Sequence, residues 1–269
     1  MARPSARSAS EPGVGWGLRV WSAGVIVLLL APTVVVIPMS FSASETFQFP
    51  PEHWSLRWYQ EFFTSPAWMS SLVTSLEVGL LVAALATVLG VLAAFGLDRA
   101  RFNGREAIRS LIMAPMIMPG IVVAIAVYAV FLRWHLTGTL SGFVMAHTAL
   151  AVPFVITTVT TSLSGYDRTV EAAAASLGAG PVATFHRITL PLLLPGVLSG
   201  FVFAFVTSLD EVVVALFLQT PDVRTIPVQM YDSIMLQIDP TIAAASSLIV
   251  LVTTIVLLIP LFVRRRSHS

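Results

Sequence analysis

Charged residues divide the chain into long uncharged stretches that alternate with short polar segments. The uncharged stretches are Val20–Ser44, Val78–Leu97, Ser110–Leu132, Trp134–Tyr166, Ile188–Leu209 and Pro240–Val263. Each offers the roughly 20 residues that a helix needs to cross a hydrocarbon core of about 30 Å. The pattern therefore predicts an all-α integral membrane protein with six transmembrane helices, at about residues 19–41, 71–97, 110–132, 139–163, 192–211 and 241–263.

Composition supports this prediction and excludes several kinds of site. Of the 269 residues, 56% are hydrophobic and only 11% are charged, and the mean hydropathy is +0.86. A typical soluble domain carries roughly 25% charged residues. The chain has no cysteine, which excludes disulfides, iron–sulfur clusters and thiolate zinc sites. All 15 basic residues are arginine, so a lysine-dependent phosphate loop, a Schiff-base enzyme and a kinase-type site are also excluded.

The arginines are distributed unevenly between the two sides of the predicted membrane. Three lie on one side, and these are Arg57, Arg133 and Arg224. The other twelve lie on the side of the two termini, and these are Arg3, Arg7, Arg19, Arg99, Arg101, Arg105, Arg109, Arg168, Arg187, Arg264, Arg265 and Arg266. Because cytoplasmic loops carry the excess of arginine, both termini are predicted to be cytoplasmic.

The segments outside the spans are short. Residues 1–18 are rich in Ser, Pro, Arg and Gly and are predicted to be a disordered cytoplasmic tail, and residues 264–269 form a second one. The apolar part of the first span is longer than the roughly 7–15 residues of a signal-peptide core. We therefore interpret it as an anchor and residues 19–263 as one transmembrane domain.

The longest polar interruption on the cytoplasmic side is the loop of residues 164–191. Strong helix formers over residues 168–177 predict a first helix, Gly178 fits its C-terminal end, and Pro181 fits the first turn of a second helix. Together they predict a helix–turn–helix with an apolar stripe in a chain without a soluble domain. Such a stripe is explained either by a partner protein or by an amphipathic pair lying on the membrane surface.

This loop resembles the EAA loop of the membrane subunits of binding-protein-dependent ABC importers. The family pattern is Glu-Ala-Ala, three residues, Gly, nine residues, Ile, one residue and Leu-Pro, and the matching positions are Gly178, Ile188, Leu190 and Pro191. The glutamate is displaced, because Glu171 lies seven residues before Gly178 and Ala172 occupies the acidic position. One step on a helix is a rotation of about 100°, so Glu171 either still makes the family's usual contact or points away from it.

The resemblance extends over most of the chain and implies a function. APMIMPGIVVAIAVY at 114–128, SLDEVVVALF at 208–217, IPVQMYDSI at 226–234 and WSLRWYQEFF at 54–63 resemble the spermidine/putrescine permeases of the PotC-like group. It implies a type I ABC importer permease of MetI-like fold in a bacterial inner membrane, surrounded by lipid. It further implies a second homologous permease, a pair of ATPase subunits that bind ATP and Mg²⁺, and an extracytoplasmic solute-binding protein. No catalysis, resident cofactor or nucleic-acid partner is expected for this chain.

The resemblance also implies which loop residues contact the ATPase. They are Glu171, Ala172, Ala173, Leu177, Gly178, Val182, Phe185, Ile188, Leu190 and Pro191. In particular, Leu177, Val182 and Phe185 are predicted to form one apolar face that docks into a cleft of that partner.

Ionisable residues at membrane depth are candidates for the solute pathway, because an unpaired charge in lipid costs several kcal/mol. Asp210 and Glu211 follow about 18 residues after the predicted start of the fifth span, in an otherwise uncharged segment. They either attract a cationic solute or form an interfacial pair or a partner contact. Tyr128 and Trp134 could add cation–π contacts if they face the same lumen.

Backbone features and rival functions complete the expectations. Pro115 and Pro119 are predicted to kink the third span, and Gly196-x-x-x-Gly200 is predicted to allow close helix packing, either within the chain or against a sister subunit. His135 and His147 are solitary, so no metal site is expected. The alternatives to a polyamine permease are an ABC permease for an opine, an aminoalkylphosphonate or another small solute, a standalone channel or secondary carrier, and a membrane-embedded enzyme.

Overall fold

The computed structural model describes residues 15–100, 102–236 and 239–266, with side chains described to residue 258. Most of the predicted tail of residues 1–18 and the last three residues lie outside the described residues, and the first helix already begins at Trp16. The helices are α1 Trp16–Ser40, α2 Arg57–Thr64, α3 Pro66–Arg99, α4 Arg105–Ile117, α5 Gly120–Arg133, α6 Leu140–Ser164, α7 Thr169–Ser176, α8 Pro181–Thr184, α9 Leu190–Asp210, α10 Val213–Leu218, α11 Ile226–Leu236 and α12 Thr241–Arg266.

Five helical segments are long and apolar enough to cross a membrane: α1, α3, α6, the continuous stretch Pro181–Asp210, and α12. The third predicted span, residues 110–132, differs from its prediction. It consists of α4 and α5, whose axes are bent by 106°. Met118 between them is extended, with φ −74° and ψ 143°, and Pro119 follows. Proline disfavours helical backbone in the residue before it and donates no hydrogen bond, so the helix ends there instead of kinking.

The fifth span starts earlier than predicted. Residues Phe185–Thr189 form a π-helical segment that joins α8 to α9, so one helical path runs from Pro181 to Asp210. The second helix of the predicted helix–turn–helix is therefore the beginning of the fifth span. Because of this continuity, a movement of the loop tip is carried into the membrane core without an intervening flexible joint.

The centre of the molecule is a three-helix core of α3, α6 and α9. Small residues bring these helices close together. A β-carbon added to Gly90 on α3 would lie 2.6 Å from Val155 on α6, and one added to Gly200 on α9 would lie 2.8 Å from the Thr158 hydroxyl. A β-carbon added to Gly196 on α9 would likewise clash with the Ser162 side chain of α6. The Gly196-x-x-x-Gly200 motif thus packs against α6 of the same chain and not against a sister subunit.

The remaining helices surround this core. α1 packs against α12 and is otherwise exposed along its apolar window. α2 buries Trp58 and Phe62. α4 has no buried residue, although Leu111 and Ile117 are large and apolar. Such exposed apolar faces are typical of a protein that is surrounded by lipid.

Candidate functional site

The loop between α6 and α9 makes a defined turn at Gly178. Its φ is +84°, a left-handed conformation that glycine adopts without the penalty of a β-carbon. The Gly178 N–H donates to the Ala175 carbonyl at 3.0 Å, and the Ala179 N–H donates to the Ala174 carbonyl at 3.0 Å. These two bonds are a Schellman motif, which closes the C-terminal end of α7. The predicted role of Gly178 as a helix terminator is confirmed.

The turn presents only part of the predicted apolar face. Leu177 is 89% exposed and Val182 is 72% exposed, so both are available to a partner. Phe185 differs from them, because it is half-buried and packs edge-on against Phe95 of α3, with ring centroids 5.3 Å apart, and its contact with the ATPase stays a prediction. The π-helical segment that begins at Phe185 changes the angular spacing that an α-helical stripe would have had.

The other predicted contact residues of the loop differ in exposure. Ala172, Ala173, Gly178 and Pro191 are exposed, whereas Ile188 and Leu190 are half-buried. The surface that the loop offers to another protein is therefore the short exposed end around Gly178, together with one face of α7.

Glu171 is held within its own chain. Its Oε1 accepts hydrogen bonds from Arg99 Nη2 at 2.5 Å and from Thr189 Oγ1 at 2.7 Å, and its side chain is only 19% exposed. Partial burial alone would raise the pKa of Glu171, but the bond from Thr189 and the Arg99 guanidinium outweigh it and hold the pKa below its ordinary value of 4.5. The carboxylate is therefore ionised at neutral pH.

A second ion pair lies beside the first. Arg168 Nη2 contacts Asp98 Oδ2 at 2.5 Å, so two consecutive residues at the end of α3 each pair with a residue near the start of α7. Asp167 accepts the Thr169 N–H at 2.9 Å, which fixes the first turn of α7. The two hydrogen bonds from Thr169 hold the pKa of Asp167 below its usual range.

Sequence reasoning missed Asp98, Arg99 and Thr189 as functional candidates. A signal for the first two was available: an acid and a base end the third helix, and a base and an acid with a helical spacing of three, Arg168 and Glu171, begin α7. Complementary charges on two cytoplasmic segments of one chain favour such pairs. Thr189 gave no signal of its own.

The two candidate pathway acids have different surroundings. Asp210 is the last residue of α9 and is exposed. Glu211 Oε1 accepts the Val214 N–H at 2.8 Å, so it caps the first turn of α10. The segment after Asp210 does not continue α9 but starts the new short helix α10.

The break after α9 adjoins the break before α5. A β-carbon on Gly120, the first residue of α5, would lie 3.8 Å from Val213, the first residue of α10. Farther along the same pair of helices, Tyr128 packs edge-on against Phe217 at 6.0 Å. The start of α10, three residues after Asp210, thus lies next to the start of α5.

Trp134 is not brought to the acids. It follows the last residue of α5 and stacks on Phe131 at 6.3 Å. Since α5 has 14 residues, its two ends are about 20 Å apart. Asp210, Glu211 and Tyr128 remain candidates for one surface, and Trp134 belongs to the opposite end of α5.

The histidines are placed without other metal ligands. Within the part of the chain that the structure describes, no group of three or more His, Cys, Asp or Glu side chains could hold a metal ion. His147 is buried on α6, and its Nδ1 lies 2.9 Å from the Ser208 hydroxyl of α9. That contact joins two helices of the core.

The chain is similar to a known family of transport proteins. The family model described as "Binding-protein-dependent transport system inner membrane component" matches residues 86–268, which include the loop, both ion pairs and the break after α9.

Curated relatives cover most of the chain. The spermidine/putrescine transport system permease protein PotC of Haemophilus influenzae is 31% identical over 245 residues, which are 91% of this chain and 95% of the relative. The putrescine transport system permease protein PotI of Escherichia coli is 31% identical over 258 residues, 91% of this chain and 92% of the relative. A probable molybdenum ABC transporter permease of Haloferax volcanii is 34% identical over 178 residues, 63% of this chain and 66% of the relative.

A solved structure has the same fold. A bacterial ABC transporter involved in the import of the acidic polysaccharide alginate aligns with a TM-score of 0.71 and 15% identity, over 93% of this chain and 96% of that one. A second structure of an alginate transporter, in complex with a periplasmic protein that binds an alginate pentasaccharide, aligns equally well. At this identity the likeness concerns the fold alone.

Proposed function

The chain belongs to the family of binding-protein-dependent transport system inner membrane components, and from this premise we propose that it forms half of an ATP-driven import pathway for polyamines. As a member of this family it is a multi-pass permease subunit of an ABC importer and not an enzyme. The observation that carries the proposal is the exposed turn at Gly178, with Leu177 and Val182 exposed on either side of it.

The Gly178 turn is the surface through which the permease is coupled to an ATPase. Leu177 and Val182 are large apolar side chains at a polar end of the molecule, where exposure to water is unfavourable unless a partner covers them. The turn itself is stiff, because a Schellman motif ends α7 and Pro181 begins α8. Closure of the ATPase would therefore move the loop as a rigid body and with it α9.

The proposed solute is a small polyamine such as spermidine or putrescine. Two curated relatives at 31% identity carry these solutes in their names, and both are covered almost completely by this chain. An exposed carboxylate at Asp210, beside the adjoining breaks of two helices, would attract a cation and repel an oxyanion. That charge argues against molybdate, the solute class of the Haloferax volcanii relative.

The proposed assembly has three kinds of partner. A second homologous permease would cover the apolar faces of α4 and α1 that the chain leaves exposed. A pair of ATPase subunits would bind ATP and Mg²⁺, and an extracytoplasmic protein would deliver the solute. We place the complex in the bacterial inner membrane with both termini and the Gly178 turn in the cytoplasm, following the distribution of arginine.

Co-purification tests the coupling to an ATPase. The chain is expressed with the proteins encoded beside it and purified through a tag on its N-terminus. We expect an ATPase subunit to be retained, and we expect the double variant Leu177→Ser/Val182→Ser to lose it. Retention of the ATPase by this variant, as efficient as in the unchanged chain, would contradict docking at the turn.

Competition for uptake tests the solute. Cells that contain the complete transporter as their only polyamine importer are given labelled putrescine together with an excess of spermidine, an opine, an aminoalkylphosphonate or molybdate. We expect only spermidine to reduce uptake strongly. Absence of labelled uptake, or competition by molybdate but not by spermidine, would refute the polyamine assignment.

A further inference from the structure

We propose that Glu171, Arg99 and Thr189 form an internal clamp. Through this clamp a movement of the coupling loop, residues 164–191, displaces α3 as well as α9. This inference rests on the proposed function, because it concerns how a movement of the loop reaches the membrane core. In it Glu171 is a positioning residue that acts within its own chain and makes no contact with the ATPase.

The direction of the Glu171 side chain is the first support for the clamp. Arg99 and Thr189 both donate hydrogen bonds to the same oxygen of Glu171, Oε1. Only 19% of the Glu171 side chain is exposed. The residue one step later, Ala172, is exposed and faces outward. The one-step displacement of the glutamate therefore exchanges an outward acid for an inward one.

The three members of the clamp come from three different helical segments. Glu171 lies in the first turn of α7, Arg99 is the last residue of α3, and Thr189 is the last residue of the π-helical segment that leads into α9. A single carboxylate oxygen thus joins the loop to both helices. The Tyr166 hydroxyl lies 3.5 Å from the Thr189 hydroxyl. Tyr166 is two residues after the end of α6, so this segment also contacts the clamp.

Two further contacts strengthen the connection to α3. The Arg168–Asp98 pair lies one residue from Arg99 on α3 and three residues before Glu171, with side-chain exposures of 61% and 25%, so water screens it more than the Glu171 pair. Phe185 packs on Phe95, and the Arg99 guanidinium lies 5.0 Å above the same Phe95 ring. The end of α3 is therefore held by charge and by aromatic packing together.

The length and packing of α3 give the clamp a consequence. α3 is one helix of 34 residues, about 51 Å long, and it packs along both α6 and α9. Near its opposite end the Ser75 hydroxyl accepts the Ile226 N–H of α11 at 2.7 Å. A displacement of the loop would therefore be transmitted by α3 to α11 at the far side of the molecule, in parallel with the path through α9.

Spin labels measure the clamp directly in the full-length chain. The chain has no cysteine, so cysteines introduced at Ala100 and Ser176 are the only labelling sites. The distance between the labels is measured in the complete transporter in nanodiscs and in the chain alone. We compare the unchanged chain with Arg99→Gln, Glu171→Gln, the charge exchange Arg99→Glu/Glu171→Arg, and the control Arg109→Gln, which removes an exposed arginine of α4.

We expect one narrow distance distribution in the unchanged chain and in Arg109→Gln, and a broad one in each single clamp variant. The charge exchange should restore most of the narrow distribution. Uptake per ATP hydrolysed should fall roughly fivefold to tenfold in the single variants, as for the loss of one ordinary hydrogen bond, and recover in the exchange. The ATPase subunit should remain bound throughout.

Different results would overturn the inference. Unchanged distances in both single variants, or loss of ATPase binding in Glu171→Gln with unchanged distances, would show that Glu171 serves the partner and not the clamp. A failure of the proposed function is recognised separately. It would appear as absence of ATP-dependent uptake in the unchanged transporter, and the distance measurement in the chain alone would still decide whether the clamp exists.

Discussion

Asp210 and Glu211 are adjacent, but their side chains do different things. Glu211 accepts the Val214 N–H and caps α10, whereas Asp210 is exposed at the end of α9. A carboxylate that satisfies a helix end is a structural group first. Of the two acids that the sequence offered for the solute pathway, Asp210 is therefore the one that we assign to the solute.

The first prediction concerns this difference. Asp210→Asn should lower putrescine uptake roughly tenfold, the low end of the effect of a charged cleft on counter-ion concentration, because it removes the charge and keeps the shape. Glu211→Gln keeps an oxygen acceptor for Val214 and should change uptake little. Both are measured in cells that contain equal amounts of assembled complex. Normal transport by Asp210→Asn would show that both acids are structural.

The second prediction concerns pH and the anchoring of the loop. The folded-state pKa values of Glu171 and Asp167 lie below their ordinary values of 4.5 and 3.8. A depressed pKa stabilises the fold at pH values above the unfolded pKa, and this contribution is lost as the pH falls through the folded pKa. The spin-label distance between positions 100 and 176 should thus stay constant from pH 8 to about 5. Broadening that begins near pH 6 would contradict the assignment of these carboxylates.

At the scale of single elements, the turn at Gly178 is the feature that depends most on one residue. No atom outside the neighbouring residues lies within 4 Å of a β-carbon placed on it, so a substitution there is opposed only by the left-handed backbone. That penalty is about 1 kcal/mol for a residue with a β-carbon and is smaller for asparagine. A substitution at Gly178 therefore strains the backbone of the turn without a steric clash inside the chain.

The third prediction follows from this separation. Gly178→Ala should weaken coupling, measured as uptake per ATP hydrolysed, because the Schellman turn is strained. Gly178→Asn should be milder, since asparagine adopts left-handed backbone more readily although its side chain is larger. If Gly178→Asn were the more damaging variant, crowding at the partner surface and not backbone geometry would explain the requirement for glycine.

The fourth prediction concerns the packing of α9 on α6. Gly200→Leu places a large side chain where a β-carbon already meets Thr158 at 2.8 Å, and overpacking of this kind costs about 1–3 kcal/mol. We expect a lower melting temperature in detergent. Gly96→Leu is the matched control, because a β-carbon at Gly96 on α3 meets no atom within 4 Å. Equal losses of stability in the two variants would contradict the close contact of α6 and α9.

Several elements could be predicted from the sequence for simple physical reasons. Uncharged length identifies a membrane helix, and this holds for α1, α3, α6, α9 and α12. Gly178 and Pro181 are residues whose backbone preferences act locally, so the turn between them was also predictable. The family resemblance further predicts that this turn contacts an ATPase subunit, and that contact stays a prediction.

Other features depend on contacts that a single sequence does not contain. Pro119 predicts an interruption of the third span, but the 106° angle between α4 and α5 also depends on the helices that pack on them, such as α10 on α5. The packing of Phe185 on Phe95 depends on the π-helical segment that starts at Phe185 and on the position of α3, which is distant in the sequence. The Glu171 clamp likewise joins residues 72 positions apart in the chain.

For the whole molecule, the distribution of exposed apolar surface is informative. The core of α3, α6 and α9 is filled with buried residues, while α1 and α4 expose large apolar side chains. Lipid covers such surfaces as well as a sister permease does, so exposure alone does not assign them. What does distinguish the two ends is charge, since two arginine–carboxylate pairs join the end of α3 to the start of α7, and the sequence predicts twelve of the fifteen arginines on the same side of the membrane as this loop.

The fifth prediction is the orientation of the chain in the membrane. Single cysteines at Ser44 and Thr220 should react with an impermeant thiol reagent added outside intact cells. A cysteine at Ser176, on the loop that bears the Gly178 turn, should react only after the membrane is opened. External labelling at Ser176 would reverse the proposed topology and remove the coupling loop from the cytoplasm.

Uptake into proteoliposomes tests the central claim, which is that this chain conducts a polyamine only when a partner hydrolyses ATP. The complete transporter is reconstituted with ATP and Mg²⁺ trapped on the side of the ATPase, and labelled putrescine and the solute-binding protein are added on the other side. We expect accumulation of putrescine against its gradient with ATP, and none with a non-hydrolysable analogue. Equal uptake with and without hydrolysis would identify the chain as a channel or a secondary carrier and would contradict the account.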